Sequence, residues 1–370
     1  MTMTTDFDSY INGPHKPDLK PDHEEAILPD VGFPSHLKVG YFDFLNCLPL
    51  YWDMLRLRTS TEMPRVSMAV SLQEQLQKQR FTRPVEQTLC HGMAVQWQHG
   101  TPTYLNQLAL QEALALSPIS SLVYLQNREK FTLWPELGIV SQKDQILSVA
   151  LYTQTPPLGF KPGQRFLVPD ASETSVALLA CMLNKMISPS SRWQDGFEVY
   201  RHGEGLAHIQ QEEDKTPILM IGDEALIATQ HIDDSKPRTS TRYTPTNHTS
   251  VKPSIWHPLD LASLWYAQTK HPFVFGVWVS PVNLSAEDKH GVKTVVQMLV
   301  HSHAQWRTLN KEQQRLIVKD ALIHRQMNPL LTDSILSYLN EILAYHLSTQ
   351  HMTSLELFAR QLKSIGWLVP

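Results

Sequence analysis

Four short stretches of this chain place polar, mostly uncharged side chains where an apolar run gives way to a helical pattern. They are Asp43-Phe44-Leu45-Asn46, Ser117-Pro118-Ile119-Ser120-Ser121, Ser172-Glu173-Thr174-Ser175 and Ile221-Gly222-Asp223-Glu224. Hydroxyls and exposed backbone N–H groups at such junctions can hold an anion without help from Lys or Arg. Ser120 and Ser121 make one such group, and Ser172, Thr174 and Ser175 a second. Two groups on facing lobes are what a dicarboxylate requires. Asn46 both donates and accepts, so it suits a carboxylate or a hydroxyl, and equally suits capping the helix that follows. Asp223 follows Gly222, which permits a tight turn, and stands where the field of a helix favours a carboxylate. It reads as a cap or as an acceptor for a ligand hydroxyl, just as the serines also read as ordinary helix caps.

The elements that carry these turns alternate strand with helix. Lys38–Leu45 reads as the first strand and 48–58 as the helix after it. Residues 93–100 alternate as a strand, Gly100 and Pro102 lead into a helix from Thr103, and 145–156 forms a strand that breaks at Pro156-Pro157. A second unit repeats the pattern: strand 165–170, helix 172–186, strand 197–203, then an apolar strand that turns into a helix at Gly222-Asp223. Residues 256–271 read as a helix after their first few positions, 272–280 as a buried strand, and the rest as helices with apolar residues three and four apart. A helix is expected over Leu72–Gln79.

Short apolar strands that each precede a helix are the α/β signature. Two crossings, near 150–156 and near 270, make the first unit discontinuous. The expected organisation is a loose N-terminal extension over 1–37, one lobe from 38–152 and 273–370 with an insertion at 51–91, and a second lobe over 153–272 with a flexible insertion near 231–250. Trp265, Phe273, Phe275 and Trp278 are expected in the core and hinge. Clefts between lobes are where small ligands usually sit.

Composition narrows the partners. With 32 basic and 36 acidic residues the net charge is −4, which argues against nucleic acid. The 3 Cys make no ligand or disulfide spacing, His301 and His303 lack acidic partners at metal-ligand spacing, and dinucleotide and P-loop glycine motifs are absent. The N-terminus has no basic start followed by an apolar core, and no apolar run is long enough to span a bilayer. A cytoplasmic protein, monomer or homodimer, with no membrane partner, is the expectation.

Taken in order, the stretches resemble the MqnA/MqnD family of menaquinone biosynthesis, and within it the chorismate dehydratase branch. The likeness runs through Asp43–Leu50, Gly100-Thr101-Pro102-Thr103-Tyr104-Leu105-Asn106, Ser117–Ser121 with Tyr124, 172–179, 219–226 and 260–279. The resemblance implies an α/β, two-lobed, periplasmic-binding-protein-like (type II) fold with two hinge strands and a cleft between the lobes. It implies a carbon–oxygen lyase that takes water from chorismate to give 3-[(1-carboxyvinyl)oxy]benzoate in the futalosine route, with no cofactor. Asn46 would then hold the reacting region, Ser120 and Ser121 one carboxylate, Ser172, Thr174 and Ser175 another, and Asp223 a polar anchor. No general base is obvious, and the substrate's own carboxylate can serve. Asp43 departs from the family's Ser. A carboxylate beside a dianion costs Coulomb energy unless protonated or paired, and it could equally be a base next to Asn46. Two other readings stay open on that account: a non-catalytic binding protein for a small aromatic or enolpyruvyl acid, and a lyase acting on a related cyclic acid.

Overall fold

A computed structural model describes residues 37–42, 44–53, 87–90, 93–155, 159–187, 192–211, 214–234 and 256–368. The extension up to residue 36, Asp43, the helix expected over Leu72–Gln79, the Pro156-Pro157 break and the segment 235–255 lie outside the described residues. The first lobe opens with β1 (Leu37–Phe42), a 3-10 turn over Leu45–Cys47 and α1 (Leu48–Tyr51). It continues through β2 (Gln87–Cys90), β3 (Met93–Gly100), α2 (Pro102–Leu110), β4 (Ser117–Ser120), α3 (Ser121–Gln126) and β5 (Phe131–Ser141). The second lobe holds β6 (Val149–Thr153), β7 (Phe166–Pro169), α4 (Glu173–Met186), β8 (Phe197–Tyr200), α5 (Gly205–Gln210), β9 (Ile218–Ile221), α6 (Gly222–Asp234), β10 (His257–Asp260) and α7 (Leu261–Thr269). The chain then returns as β11 (Val274–Pro281), α8 (Ala286–Thr308), α9 (Lys311–His324), α10 (Thr332–Ser337), a π turn over Tyr338–Ile342, β12 (Leu343–Ala344) and α11 (Thr349–Ser364).

This is a two-lobed α/β fold with open sheets. In the first lobe the strands order as β1-β3-β2 and β12-β5-β11-β4, and a parallel bridge from Val39 to Leu116 joins the two groups. The second lobe is a five-stranded sheet, β10-β6-β9-β7-β8. β9, Ile-Leu-Met-Ile, is buried at every position, as a strand covered on both faces must be. α4 is buried continuously from Thr174 to Leu183, which fits its apolar composition all round. β5 and β10 were not anticipated, and β2 lies in the stretch read as an insertion. β6 pairs with β9 and β10, so the first crossing falls at Gln142–Ser148, ahead of the boundary expected at 152.

The two crossings run side by side. Ser141 N–H donates to the Phe273 carbonyl at 3.0 Å, and Phe273 N–H donates to Ser141 Oγ at 2.7 Å. Asp260 takes the Ile146 and Leu147 N–H groups at 2.9 and 2.6 Å while capping α7 through Ser263 N–H at 2.9 Å, which pins the first crossing to the second lobe. Burial raises the Asp260 pKa, and these three backbone donors work against that rise. Trp265 on α7 and Phe358 on α11 pack around Phe273, with ring centroids 5.2 and 4.9 Å from it. Phe275 and Trp278 pack in the same core, as expected.

Candidate functional site

The turns meet across the lobes in two pairs, the Ser117–Ser121 turn against the Ser172–Ser175 turn and the described part of the Asn46 turn against Gly222-Asp223. Ser120 and Ser121 end β4 and begin α3; Ser172, Thr174 and Ser175 begin α4 on the other lobe. Leu122 N–H donates to Thr174 Oγ1 at 3.0 Å, and Ser121 Oγ lies 3.5 Å from that same oxygen. Nearby, the Thr103 hydroxyl donates to the Asp170 carbonyl at 2.8 Å. The two hydroxyl groups therefore face each other and, with the lobes closed, bond to each other.

The hydroxyls divide by use. Ser172 caps α4, accepting Ser175 N–H at 3.3 Å, with the two Oγ atoms 2.8 Å apart. That is the ordinary helix-cap use. Ser121 donates to the Val274 carbonyl at 2.7 Å and so ties α3 to β11. Ser120 stands at the N-cap of α3 but makes no side-chain cap; it bonds to Asn106 instead. Glu173, half-buried beside the Thr174 hydroxyl in sequence, has its carboxyl pKa raised by burial.

On the other side, the turn after β1 presents Phe44, Leu45 and Asn46 to the start of α6. Leu45 N–H donates to Asp223 Oδ1 at 3.0 Å, and Arg325, at the end of α9, reaches Asp223 Oδ2 at 3.2 Å. Asp223 thus holds two groups of the first lobe. Gly222 has φ +59, and a Cβ there would lie 3.2 Å from two ring carbons of Phe44, so both backbone and space demand glycine. Gly222 N–H donates to the Ser148 carbonyl at 2.7 Å, and Tyr338 donates to Ser148 Oγ at 2.8 Å. Burial drives the Tyr338 phenol well above its usual pKa, and the Asn46 amide beside it works the other way. The Asn46 carbonyl oxygen is buried with no hydrogen-bond partner among the described residues. A buried amide oxygen left unpaired is costly, which marks it as an acceptor awaiting a donor.

Behind Asp223 the neighbouring Glu224 is buried and accepts from Gly203 N–H at 3.2 Å, Leu206 N–H at 3.1 Å and the Tyr200 hydroxyl at 3.4 Å. His202 Nδ1 lies 3.3 Å from it, and the His202 ring meets Phe44 edge-on at 5.8 Å. Burial pushes the Glu224 pKa up, but His202 and the two backbone donors outweigh it and hold the carboxyl below its usual range.

Sequence reasoning did not find Asn106's grip on Ser120, nor Tyr338, Ser148 and Arg325 around Asn46 and Asp223. Asn106 had a signal, its place in the Gly100–Asn106 motif; the other three are distant in sequence and carry none. Asp43 lies outside the described residues. A cavity of about 460 Å³ lined by Leu50, Pro135, His303 and Tyr345, among others, takes in none of the four turns. Among the described residues no group of three or more His, Cys, Asp or Glu is placed to hold a metal, and no helix is long and apolar enough to cross a membrane.

Known proteins agree with this architecture. The chain is similar to solved structures of a protein from Archaeoglobus fulgidus (12% identity, 90% of this chain and 98% of that one, TM-score 0.56) and of the alkanesulfonate-binding protein SsuA from Xanthomonas axonopodis pv. citri (14%, 91% and 95%, 0.52). A Candida albicans protein with the generic periplasmic binding protein fold is a third (10%, 91% and 92%, 0.52). At these identities the likeness is one of fold, and the fold resembles the type II periplasmic-binding-protein architecture. In sequence, the chorismate dehydratase of Thermus thermophilus is 30% identical over 184 residues, which span 49% of this chain and 59% of that enzyme. The model of the menaquinone biosynthesis family matches residues 37–364, nearly all of the two lobes, and the chain belongs to that family.

Proposed function

We propose that this protein is a chorismate dehydratase, a hydro-lyase that converts chorismate to 3-[(1-carboxyvinyl)oxy]benzoate in the cytoplasm, as a step toward menaquinone. The observation that carries the reading is the meeting of two hydroxyl turns from opposite lobes, beside a second inter-lobe meeting at the Asn46 turn, whose amide carbonyl is buried and unpaired among the described residues. Neutral donors on two sides suit a dianion, and the lobes must part for it to replace the Thr174 contact to Leu122 N–H.

The reaction removes a ring proton and the neighbouring hydroxyl and leaves an aromatic ring, so the driving force lies in the substrate. The protein's task is to orient the two carboxylates, assist departure of the hydroxyl and exclude water. In this reading the Ser120 hydroxyl and Leu122 N–H face one carboxylate, with Ser121 tying their helix to β11, while Thr174 and Ser175 face the other. The Asn46 carbonyl accepts from the substrate hydroxyl and aligns it. Asp223 acts from behind, holding the Asn46 turn against the second lobe through Leu45 N–H.

Purified protein incubated with chorismate, with products separated chromatographically and identified by mass, tests this. The dehydrated enolpyruvyl benzoate should form with wild type and be lost in Asn46→Ala. Tight binding of chorismate without turnover would favour a binding protein, and neither turnover nor binding would overturn the reading.

A further inference from the structure

Ser120 is held in a way that its neighbours are not. Asn106, on α2 and 1% exposed, donates from Nδ2 to Ser120 Oγ at 3.0 Å and accepts Ser120 N–H on Oδ1 at 2.9 Å. The backbone N–H can only donate, so Oδ1 must face it, and Nδ2 must then face the hydroxyl oxygen. A serine hydroxyl has one proton and two lone pairs. One lone pair is taken by Asn106, and no described residue accepts the proton. Ser121, one residue on, spends its proton on the Val274 carbonyl. Ser172, the equivalent residue on the other lobe, spends its oxygen on capping its own helix. Ser120 is thus a buried hydroxyl at the lobe junction whose oxygen is clamped and whose proton is reserved.

We infer that Asn106 is a positioning residue for the dehydration: its two-point grip forces the Ser120 hydroxyl to act as a hydrogen-bond donor toward an anionic oxygen of the substrate. The inference rests on the dehydratase reading. A carboxylate at position 106 would undo it without changing shape. It would still accept Ser120 N–H, but its second oxygen would draw in the Ser120 proton and remove the donor. Protonated, the same side chain regains an O–H that can donate to Ser120 Oγ, as the amide does.

The test is the pH dependence of chorismate dehydration by Asn106→Asp, beside wild type and Ser120→Ala. Loss of one well-placed donor typically costs on the order of 100-fold or more in kcat. Asn106→Asp should therefore lose roughly that factor at about pH 8, with KM changed far less. It should recover activity as the pH falls through a single protonation that the wild-type profile lacks. Asn106→Asp combined with Ser120→Ala should be no slower than Ser120→Ala alone, since the clamp then has nothing to orient. A loss in Asn106→Asp that is independent of pH, or additive with Ser120→Ala, would make Asn106 a structural residue and overturn the inference. Ser120→Ala decides the matter even if Asn106→Asp fails to fold: wild-type turnover in Ser120→Ala overturns the assignment. Wild type is measured first. If it does not dehydrate chorismate, the dehydratase reading falls and the role of Asn106 falls with it, a result distinct from failure of the variants alone.

Discussion

Replacing Asp223 by Ala should open the protein rather than unfold it. The Asp223 carboxylate belongs to the second lobe, and the two partners named above, Leu45 N–H at 3.0 Å and Arg325 at 3.2 Å, belong to the first. A hydrogen bond to a charged group contributes about 1.5–3 kcal/mol. The Arg325 pair, with side chains 28% and 19% exposed, is screened by water and adds at most about 1 kcal/mol. Together this is about 1.5–4 kcal/mol, which shifts a two-state equilibrium by roughly 10- to 900-fold. The loss falls mainly on closure because each lobe keeps its own sheet, and among the described residues the backbone passes between the lobes at Gln142–Ser148 and near Phe273. Small-angle scattering should show a larger radius of gyration for Asp223→Ala than for wild type. Energy transfer between dyes on the two lobes should fall, and Asp223→Asn, which keeps an acceptor for Leu45 N–H, should lie between. An unchanged radius together with a lower midpoint for a single cooperative unfolding transition would show that Asp223 supports the fold and not the closure, and the reasoning would be wrong.

Three further perturbations follow, two at or behind the Asp223 turn and one in the first lobe. Gly222→Ala should lower stability in urea by about 1–3 kcal/mol, since a left-handed φ and the Phe44 ring both oppose a side chain there; wild-type stability would contradict this. Glu224→Gln should cost about 2–4 kcal/mol at neutral pH, because three donors and His202 converge on a buried carboxylate. The folded pKa of Glu224 is below its unfolded value, so its contribution is present above the ordinary carboxylate range and is lost as the pH falls through the folded pKa. The gap between Glu224→Gln and wild type should therefore close in acid, and a gap that stays constant would refute the assignment. His303 has its pKa lowered to about 4, first by burial and then by Arg307 and His346, and its ring lies 4.7 Å from that of Tyr345. Its neutral form is favoured by folding, so its contribution is full above the unfolded pKa near 6.5 and is lost as the pH falls toward 4. Wild type should lose about 1–3 kcal/mol over that window that His303→Phe keeps, allowing for the partial exposure of the ring; parallel denaturation profiles would rule this out.

How much of this was legible in the sequence depends on the range of the interaction involved. The strand-to-helix junctions at Ser120-Ser121, Ser172 and Gly222-Asp223 were legible because apolar runs, caps and a glycine are local signals. β5 was not, since its first half is largely exposed and carries Pro135, so neither alternation nor a continuous apolar run marks it. β10, His-Pro-Leu-Asp, is short and half exposed, and reads as the lead-in to α7. β2 is a short edge strand whose place is set by pairing with β3, not by its own pattern.

The same limit governs the site. Ser120 and Ser172 occupy the same local position, the last residue before a helix, and no property of their flanking sequence tells them apart. Ser172 caps its helix, while Ser120 is drawn away by an asparagine 14 residues earlier that the fold brings alongside. Asp223 shows the converse. A residue with every local mark of a cap spends its carboxylate on the other lobe, on a backbone N–H 178 residues away. Local pattern fixes which residues reach the junction between lobes. Which atom of each is spent on structure, and which is left for a ligand, is decided by partners that come together only on folding. A count of donors and acceptors at each buried hydroxyl is therefore what distinguishes a helix cap from a binding group in this protein.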